Sequence, residues 1–198
     1  MTMVLPILET ERLRLRELHI LDAKAMFEYA SKDEVTKYVL WDTHTSLRQT
    51  KQFLKLMNKK YLEGYLAWAI TLKESGTFVG TIDFVTLDRT ARIAEIGYTI
   101  SDNYWGKGIV SEATQELINF GFKELHLERI YARCFAENIG SERVMQKVGM
   151  TYEGTLRKGI FAKGAYHDLK IYAVLREDFK KQIAQEMRRI HNGKMGCL

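Results

Sequence analysis

The sequence predicts a single mixed α/β (α+β) domain, with a mostly antiparallel central sheet flanked by helices. Three observations carry this expectation. Apolar residues at strand spacing alternate with stretches at helical spacing. Three consecutive strand-like runs are joined by short turns rather than by helices, which favours an antiparallel meander over a doubly wound sheet. A chain of 198 residues, 46% hydrophobic and 28% charged, has the size and composition of one domain with its own core.

In chain order, Leu13, Leu15 and Leu18 nearly alternate with Arg12, Arg14 and Arg16, a first strand. Asp22 opens a helix through about Lys32, with Ala23, Met26, Phe27 and Ala30 on one face. Phe53, Leu54, Met57 and Tyr61 have helical spacing and mark a second helix from about Ser46 to Leu62. Strands follow at Tyr65–Lys73, Phe78–Leu87 and Arg92–Ser101, ending at Glu74-Ser75-Gly76, Asp88-Arg89 and Asp102-Asn103. The loop Tyr104-Trp105-Gly106-Lys107-Gly108 then leads into a helix to about Leu125. Arg129–Ala136 reads as a strand, Asn138–Val148 as a helix, and Met150–Arg157 and Tyr166–Leu175 as strands. A closing helix is expected over Asp178–Arg189, outside a core of about 8–178.

Composition narrows the function classes. The net charge is +5, and six basic against three acidic residues fall within 176–198. This excess favours an anionic ligand without demanding nucleic acid. Lys180-Lys181 and Arg188-Arg189 read as the solvated face of the terminal helix, and no aromatics interleave them. Cys134 and Cys197 cannot build a disulfide framework; the first reads as a buried thiol. No basic n-region or cleavage pattern opens the chain, and no apolar run approaches the roughly 20 residues of a membrane span. A cytoplasmic protein without membrane or direct nucleic-acid contact is expected. The five histidines are scattered, with no H-E-x-x-H and no Cys/His cluster, so no metal site is expected.

The chemistry-bearing feature is the loop after the Arg92–Ser101 strand. Gly106 and Gly108, one residue apart at a helix start, allow close backbone approach to a ligand. Unpaired N–H groups there, with the helix dipole, suit an anion, and Lys107 adds a charge. The frame is not a Walker A loop, since Lys107 is not followed by Ser or Thr, and not a dinucleotide fingerprint, since Ser111 stands three residues after Gly108. The bare alternative is a strand-to-helix turn.

The stretch Asn103-Tyr104-Trp105-Gly106-Lys107-Gly108-Ile109-Val110-Ser111-Glu112-Ala113 resembles the acetyl-CoA-binding motif of the GCN5-related N-acetyltransferase (GNAT) superfamily, with Asn103 in place of the usual Gln or Arg. Asn138-Ile139-Gly140-Ser141 through Gly149-Met150 is similar to the superfamily's second motif, and reads equally as a capped helix. Together with "TERLRLREL", "EIGYTIS" and Gly164-Ala165-Tyr166-His167-Asp168, these resemble the RimJ/RimL branch, whose members acetylate N-terminal amines of ribosomal proteins and whose relatives act on small amines.

The resemblance implies a GNAT-like fold and acetyl-CoA as cofactor. It implies that amides of Trp105, Gly106, Lys107, Gly108, Ile109, Val110 and Ser111 hold the pyrophosphate. The strand end at Ile100 and Ser101 would pair with the pantetheine arm, where a backbone N–H could polarise the thioester carbonyl. Asn138 and Ser141 would contact the pantetheine or sulfur end. Glu95, on the strand face with Gly97 and Thr99, stands where the superfamily often has its base. A strand charge paired with Arg92 or a neighbouring strand is the alternative for Glu95. Met145 occupies the position where many members carry an acidic Tyr, so Ser141 is the expected hydrogen-bond donor to sulfur. Tyr38, Trp41, Asp42 and His44 border the family's acceptor region, or pack the loop. Trp68 and Tyr98 read as sheet core. The expected acceptor is a protein N-terminus, with a ribosomal protein as partner. A small amine, or a non-catalytic CoA-binding module, remains open, as does a homodimer, since many relatives are dimers.

Overall fold

The computed structural model describes residues 5–181 and residue 184. Eight strands make one sheet in the order β1 (Leu8–Glu9), β2 (Leu13–Arg16), β3 (Ala67–Leu72), β4 (Phe78–Asp88), β5 (Ile93–Ile100), β6 (Arg129–Phe135), β8 (Ala165–Leu175) and β7 (Thr151–Ala162). Every neighbouring pair is antiparallel except β5 and β6. Helices α1 (Ala23–Ala30), α2 (Asp33–Thr36) and α3 (Leu47–Leu62) precede the meander. Helix α4 (Ile109–Lys123) makes the parallel crossover, and α5 (Ile139–Lys147) follows β6. The expected mixed, mostly antiparallel sheet flanked by helices forms.

Strand alternation divides the core between the two sheet faces. Trp68 and Ile70 of β3, with Leu13, Leu15, Ile82, Phe84 and Ile96, pack towards Ile109, Ala113 and Leu117 of α4. Ala67 and Ala69, on the opposite face of β3, pack with Met26 and Tyr29 of α1 and Leu54 and Met57 of α3. Ser46 caps α3 by accepting from the Gln49 N–H at 3.3 Å, so the chain enters that helix where its apolar stripe begins.

Four element boundaries differ from expectation. Strand β1 is a two-residue pairing with β2, too short for any periodicity to show. The helix expected through Lys32 stops at Ala30 and restarts as the four-residue α2. Strand β7 runs to Ala162, five residues past the expected Arg157. Its outer half is exposed on both faces, so register with β8 defines it and apolar alternation does not. Residues 176–181 are helical, so the closing helix begins earlier than Asp178; most of its expected extent to Arg189 lies outside the described residues. No described helix is long and apolar enough to cross a membrane.

Candidate active site

Strands β5 and β6 pair over only three residues: Ile93 with Arg129, Ala94 with Ile130, and Glu95 with Tyr131. Beyond Glu95, β5 continues along β4 to Ile100, while β6 continues along β8 to Phe135. The sheet therefore opens into a cleft, with Glu95 at its apex and the β5 edge from Ile96 to Ile100 unpaired on that side. Apart from the Ile100 carbonyl, this edge supplies backbone donors and acceptors with no strand partner among the described residues, the condition for adding an extended ligand as a strand.

The cleft leads to the N-terminus of α4. Ser101 is tied back to β4 through its N–H to the Val79 carbonyl at 2.9 Å. The Trp105 indole N–H donates to the Ile100 carbonyl at 3.2 Å, with its ring half exposed. Gly106 and Gly108 have φ of +73° and +75°, which explains why glycine is needed at both. Gly108 is the N-cap of α4 and no side chain caps the helix. The first-turn N–H groups of Ile109, Val110 and Ser111 are thus available to an anion.

Two cations that sequence reasoning missed converge on this turn. The side chains of Arg12 and Lys147 come within 3.6 and 3.5 Å of where a Gly108 β-carbon would stand. Glu112, in the first turn of α4, holds Arg12 there: its carboxylate accepts from the Arg12 Nε at 2.6 Å and from the Arg12 backbone N–H at 2.9 Å. Burial alone would raise the Glu112 pKa, but donors from Thr10 and Arg12 outweigh it and hold the carboxyl below its usual range. Arg12 also donates to the Lys107 carbonyl at 3.2 Å, and the Lys107 ammonium lies 5.1 Å from the Tyr104 ring centroid. Arg12, Lys107 and Lys147 come from three distant segments, so no local spacing reveals them as a set.

Across the cleft, Asn138 caps α5 by accepting from the Ser141 N–H at 3.0 Å. The Ser141 hydroxyl lies 2.8 Å from the Tyr98 hydroxyl, which also donates to the Ser141 carbonyl at 3.2 Å. Tyr98 is therefore more than the core residue expected: it spans from β5 to α5 over the cleft. Burial pushes its phenol pKa upward, so it remains a neutral donor at physiological pH. Trp68, by contrast, is wholly buried. Met145 is buried under α5. Cys134 is a buried thiol with its pKa pushed up to about 11 by burial.

Glu95 is buried at the apex, and both its oxygens are engaged. Arg133 donates through Nε to Oε1 at 2.8 Å and through Nη2 to Oε2 at 2.9 Å; the Tyr131 hydroxyl donates to Oε2 at 3.2 Å. The pairing is to the neighbouring strand, not to Arg92, which pairs with Glu128 at 3.2 Å. On the same face Tyr38 meets Phe135 edge-on, and Phe135 stacks on His167. Lys163, at the β7–β8 turn, donates to the Trp41 carbonyl at 2.6 Å and pairs with Asp42 at 3.2 Å. Tyr38, Trp41 and Asp42 thus border this face. His44 packs beside Trp41, ring centroids 5.2 Å apart, with its ring buried 2.8 Å from the Thr50 hydroxyl, and burial lowers its pKa.

The unpaired strand edge, the bare helix N-terminus and the three cations fit a cofactor with an extended polar arm and several phosphates. Comparison with known proteins gives the same answer. Residues 12–151 match the Acetyltransferase (GNAT) domain family. A Bacillus licheniformis protein named as an uncharacterized N-acetyltransferase is 37% identical over 87% of this chain and 97% of its own length. The Escherichia coli ribosomal-protein-serine acetyltransferase is 33% identical over 56% of this chain and 61% of its own. The crystal structure of a GNAT-family acetyltransferase from Bacillus anthracis superposes with a TM-score of 0.78 at 34% identity, covering 87% of this chain and 99% of that one. With the open β5/β6 cleft and the glycine loop at its end, these likenesses establish that the chain belongs to the GNAT acetyltransferase family and is an N-acetyltransferase that uses acetyl-CoA.

Proposed function

We propose that the acceptor is a single primary amine, the N-terminal α-amine of a protein, and that a ribosomal protein is the partner. The observation that carries this reading is the state of the carboxylates around the acceptor face. Glu95 is neutralised by Arg133, Asp42 by Lys163 and Asp102 by Lys32. A polyamine needs several uncompensated carboxylates. A single α-amine needs one, and its pKa of about 7.7–8.0 leaves part of it neutral near physiological pH. The ribosomal-protein activity in the name of the Escherichia coli relative supports the same acceptor class.

When bound, acetyl-CoA supplies the activated acetyl thioester. Amides of Gly106 to Ser111, with Lys107, Arg12 and Lys147, would hold its phosphates. The β5 edge at Ile100 and Ser101 would orient the pantetheine arm, and a backbone N–H there would be the donor to the thioester carbonyl. Asn138 positions Ser141, whose hydroxyl, backed by Tyr98, would be the hydrogen-bond donor to the sulfur. Glu95, clamped by Arg133 and Tyr131, fixes the apex of the cleft.

Thiol release from acetyl-CoA tests the reading across an acceptor panel. Peptides with Ala or Ser N-termini are expected to outperform spermidine and amino sugars. Preference for spermidine or an amino sugar transfers the assignment to small amines; cofactor binding without transfer to any amine indicates a non-catalytic module.

A further inference from the structure

Among the described residues, one carboxylate on the acceptor face is in no ion pair. Asp83 lies on β4 directly opposite Gly97 of β5, the first position on that face beyond the apex at Glu95. Gly97 and Glu95 share a face, two residues apart, so their α-carbons are separated by about 7 Å. Gly97 has no side chain, which leaves room for Val85 and Asp83 to stand close over the strand at this point. A β-carbon there would stand 3.3 Å from Asp83 Oδ1 and 2.5 Å from a methyl of Val85. The bulge between Phe84 and Thr86 leaves Val85 on this face, exposed beside Asp83.

The two oxygens of Asp83 differ. The Tyr65 hydroxyl donates to Oδ2 and fixes the carboxylate plane. Oδ1 has no hydrogen-bond partner among the described residues. Glu95 presents the opposite case, with both oxygens taken by Arg133 and Tyr131. Tyr65 and Val85, the neighbours of Asp83, also line an open cleft with Lys60, Glu63 and Gly64.

We infer that Asp83, oriented by Tyr65, is the proton acceptor of acetyl transfer, taking through Oδ1 the proton that the acceptor amine sheds beside Gly97. This rests on the single-amine acceptor proposed above. The amine nitrogen forms a bond to the acetyl carbon and the carbon–sulfur bond breaks. From the ammonium form, one amine proton passes to Asp83 and on to solvent; a second ends on the departing sulfur through Ser141. No oxidant or further reactant is required. The groups facing Asp83 set its charge state. Burial raises its pKa to about 6; the Tyr65 hydrogen bond and Lys60 of α3 lower it, and Glu95 across the strand pair raises it. Tyr61 of α3 and Tyr65 stay protonated, their pKa values raised chiefly by burial. Asp83 is thus ionised at neutral pH yet close enough to that range to accept and release a proton.

The test uses the full chain, acetyl-CoA and an Ala-terminated peptide. Wild-type kcat should show an acid limb near pH 6 that stays in place when the peptide is exchanged for an acceptor of different amine pKa. Asp83→Asn should lower kcat about 100-fold or more at pH 7.5 and abolish that limb, with coenzyme A affinity unchanged as a check on folding. Tyr65→Phe should lower kcat several-fold, since Asp83 loses its orienting partner, and move the limb upward, because the hydrogen bond that favours the ionised form is gone; a merely structural role would not move it. A ¹³C-carboxyl titration of Asp83 reads the same midpoint without turnover. The inference is overturned if that midpoint falls at an ordinary aspartate value, or if Glu95→Gln removes the limb while Asp83→Asn keeps it. Failure of the wild type to acetylate any amine overturns the acceptor reading, and the inference with it. Transfer confined to small amines overturns only the protein acceptor.

Discussion

Ser141 has its backbone N–H held by Asn138 and its hydroxyl 2.8 Å from that of Tyr98. A serine so placed can give its hydrogen to an acceptor while the phenol behind it turns its one hydrogen from the Ser141 carbonyl to the nearer hydroxyl oxygen. A thiol pKa near 8.5 makes the departing thiolate tolerable in water, so this relay need supply only one good hydrogen bond. Such a bond is worth about 1–1.5 kcal/mol, and its loss slows the chemical step about tenfold. Ser141→Ala should therefore lower kcat about tenfold with little change in the KM for acetyl-CoA. Tyr98→Phe should give a smaller loss that is not additive with it, because both act through one hydrogen-bond chain. Steady-state kinetics of the two single variants and the double variant check this. An unchanged rate and pH profile in Ser141→Ala removes the serine from the mechanism. Ser141 was legible in the sequence because its motif is local. Tyr98 was not, since alternation placed it on the inward face of β5 and only the opening of the sheet brings α5 over it.

At the scale of elements, the start of α4 concentrates positive potential. Its dipole, its uncapped N–H groups and Arg12, Lys107 and Lys147 add in one place. Arg12→Met and Lys147→Met should each weaken coenzyme A binding several-fold while leaving kcat at saturating cofactor unchanged, because these cations sit far along the cleft from the sulfur end. Calorimetric titration at low and high salt checks the cause: wild-type affinity should fall as salt rises, and each variant should show a shallower dependence. Equal salt dependence in variant and wild type would show that these cations are not at the phosphates. The glycine loop was readable because its requirement is backbone geometry, which only glycine meets at φ near +75°. Arg12 and Lys147 were not, because charge at one point in space can come from any segment. Glu95 shows the same division. Alternation put it on the β5 face shared with Gly97 and Thr99, but its bidentate pairing with Arg133 depends on where β5 and β6 part, which leaves no mark in either strand alone.

At the scale of the whole molecule, the sheet is buried on both faces at its centre, and the chain uses that stability to hold groups the fold alone would reject. The order of elements along the chain and the antiparallel meander followed from periodicity and turn chemistry; the parallel β5–β6 pair, the opened sheet and the cost of Asp83 became visible only when their surroundings were assembled. Asp83 is ionised at neutral pH in a setting that disfavours charge. Its pKa rises on folding from about 3.9 to about 6, so the folded state binds the extra proton more tightly than the unfolded chain. Stability linked to this group is therefore fully present below about pH 4 and is lost as pH rises through about 6. Glu112 runs the other way: its folded pKa is depressed, so its contribution is present above the unfolded carboxylate range and fades as pH falls through the lower folded value. Replacing Asp83 by Asn removes a charge while keeping an oxygen that can accept from Tyr65. Asp83→Asn should thus be more stable than wild type at pH 8, by about 1–2 kcal/mol after allowing for partial exposure, and the gain should vanish near pH 4. Paired urea denaturation curves at the two pH values measure it. A variant that gains stability as it loses turnover is the signature of a group retained for chemistry at the expense of the fold; equal stability at both pH values would mean that the carboxylate carries no such strain.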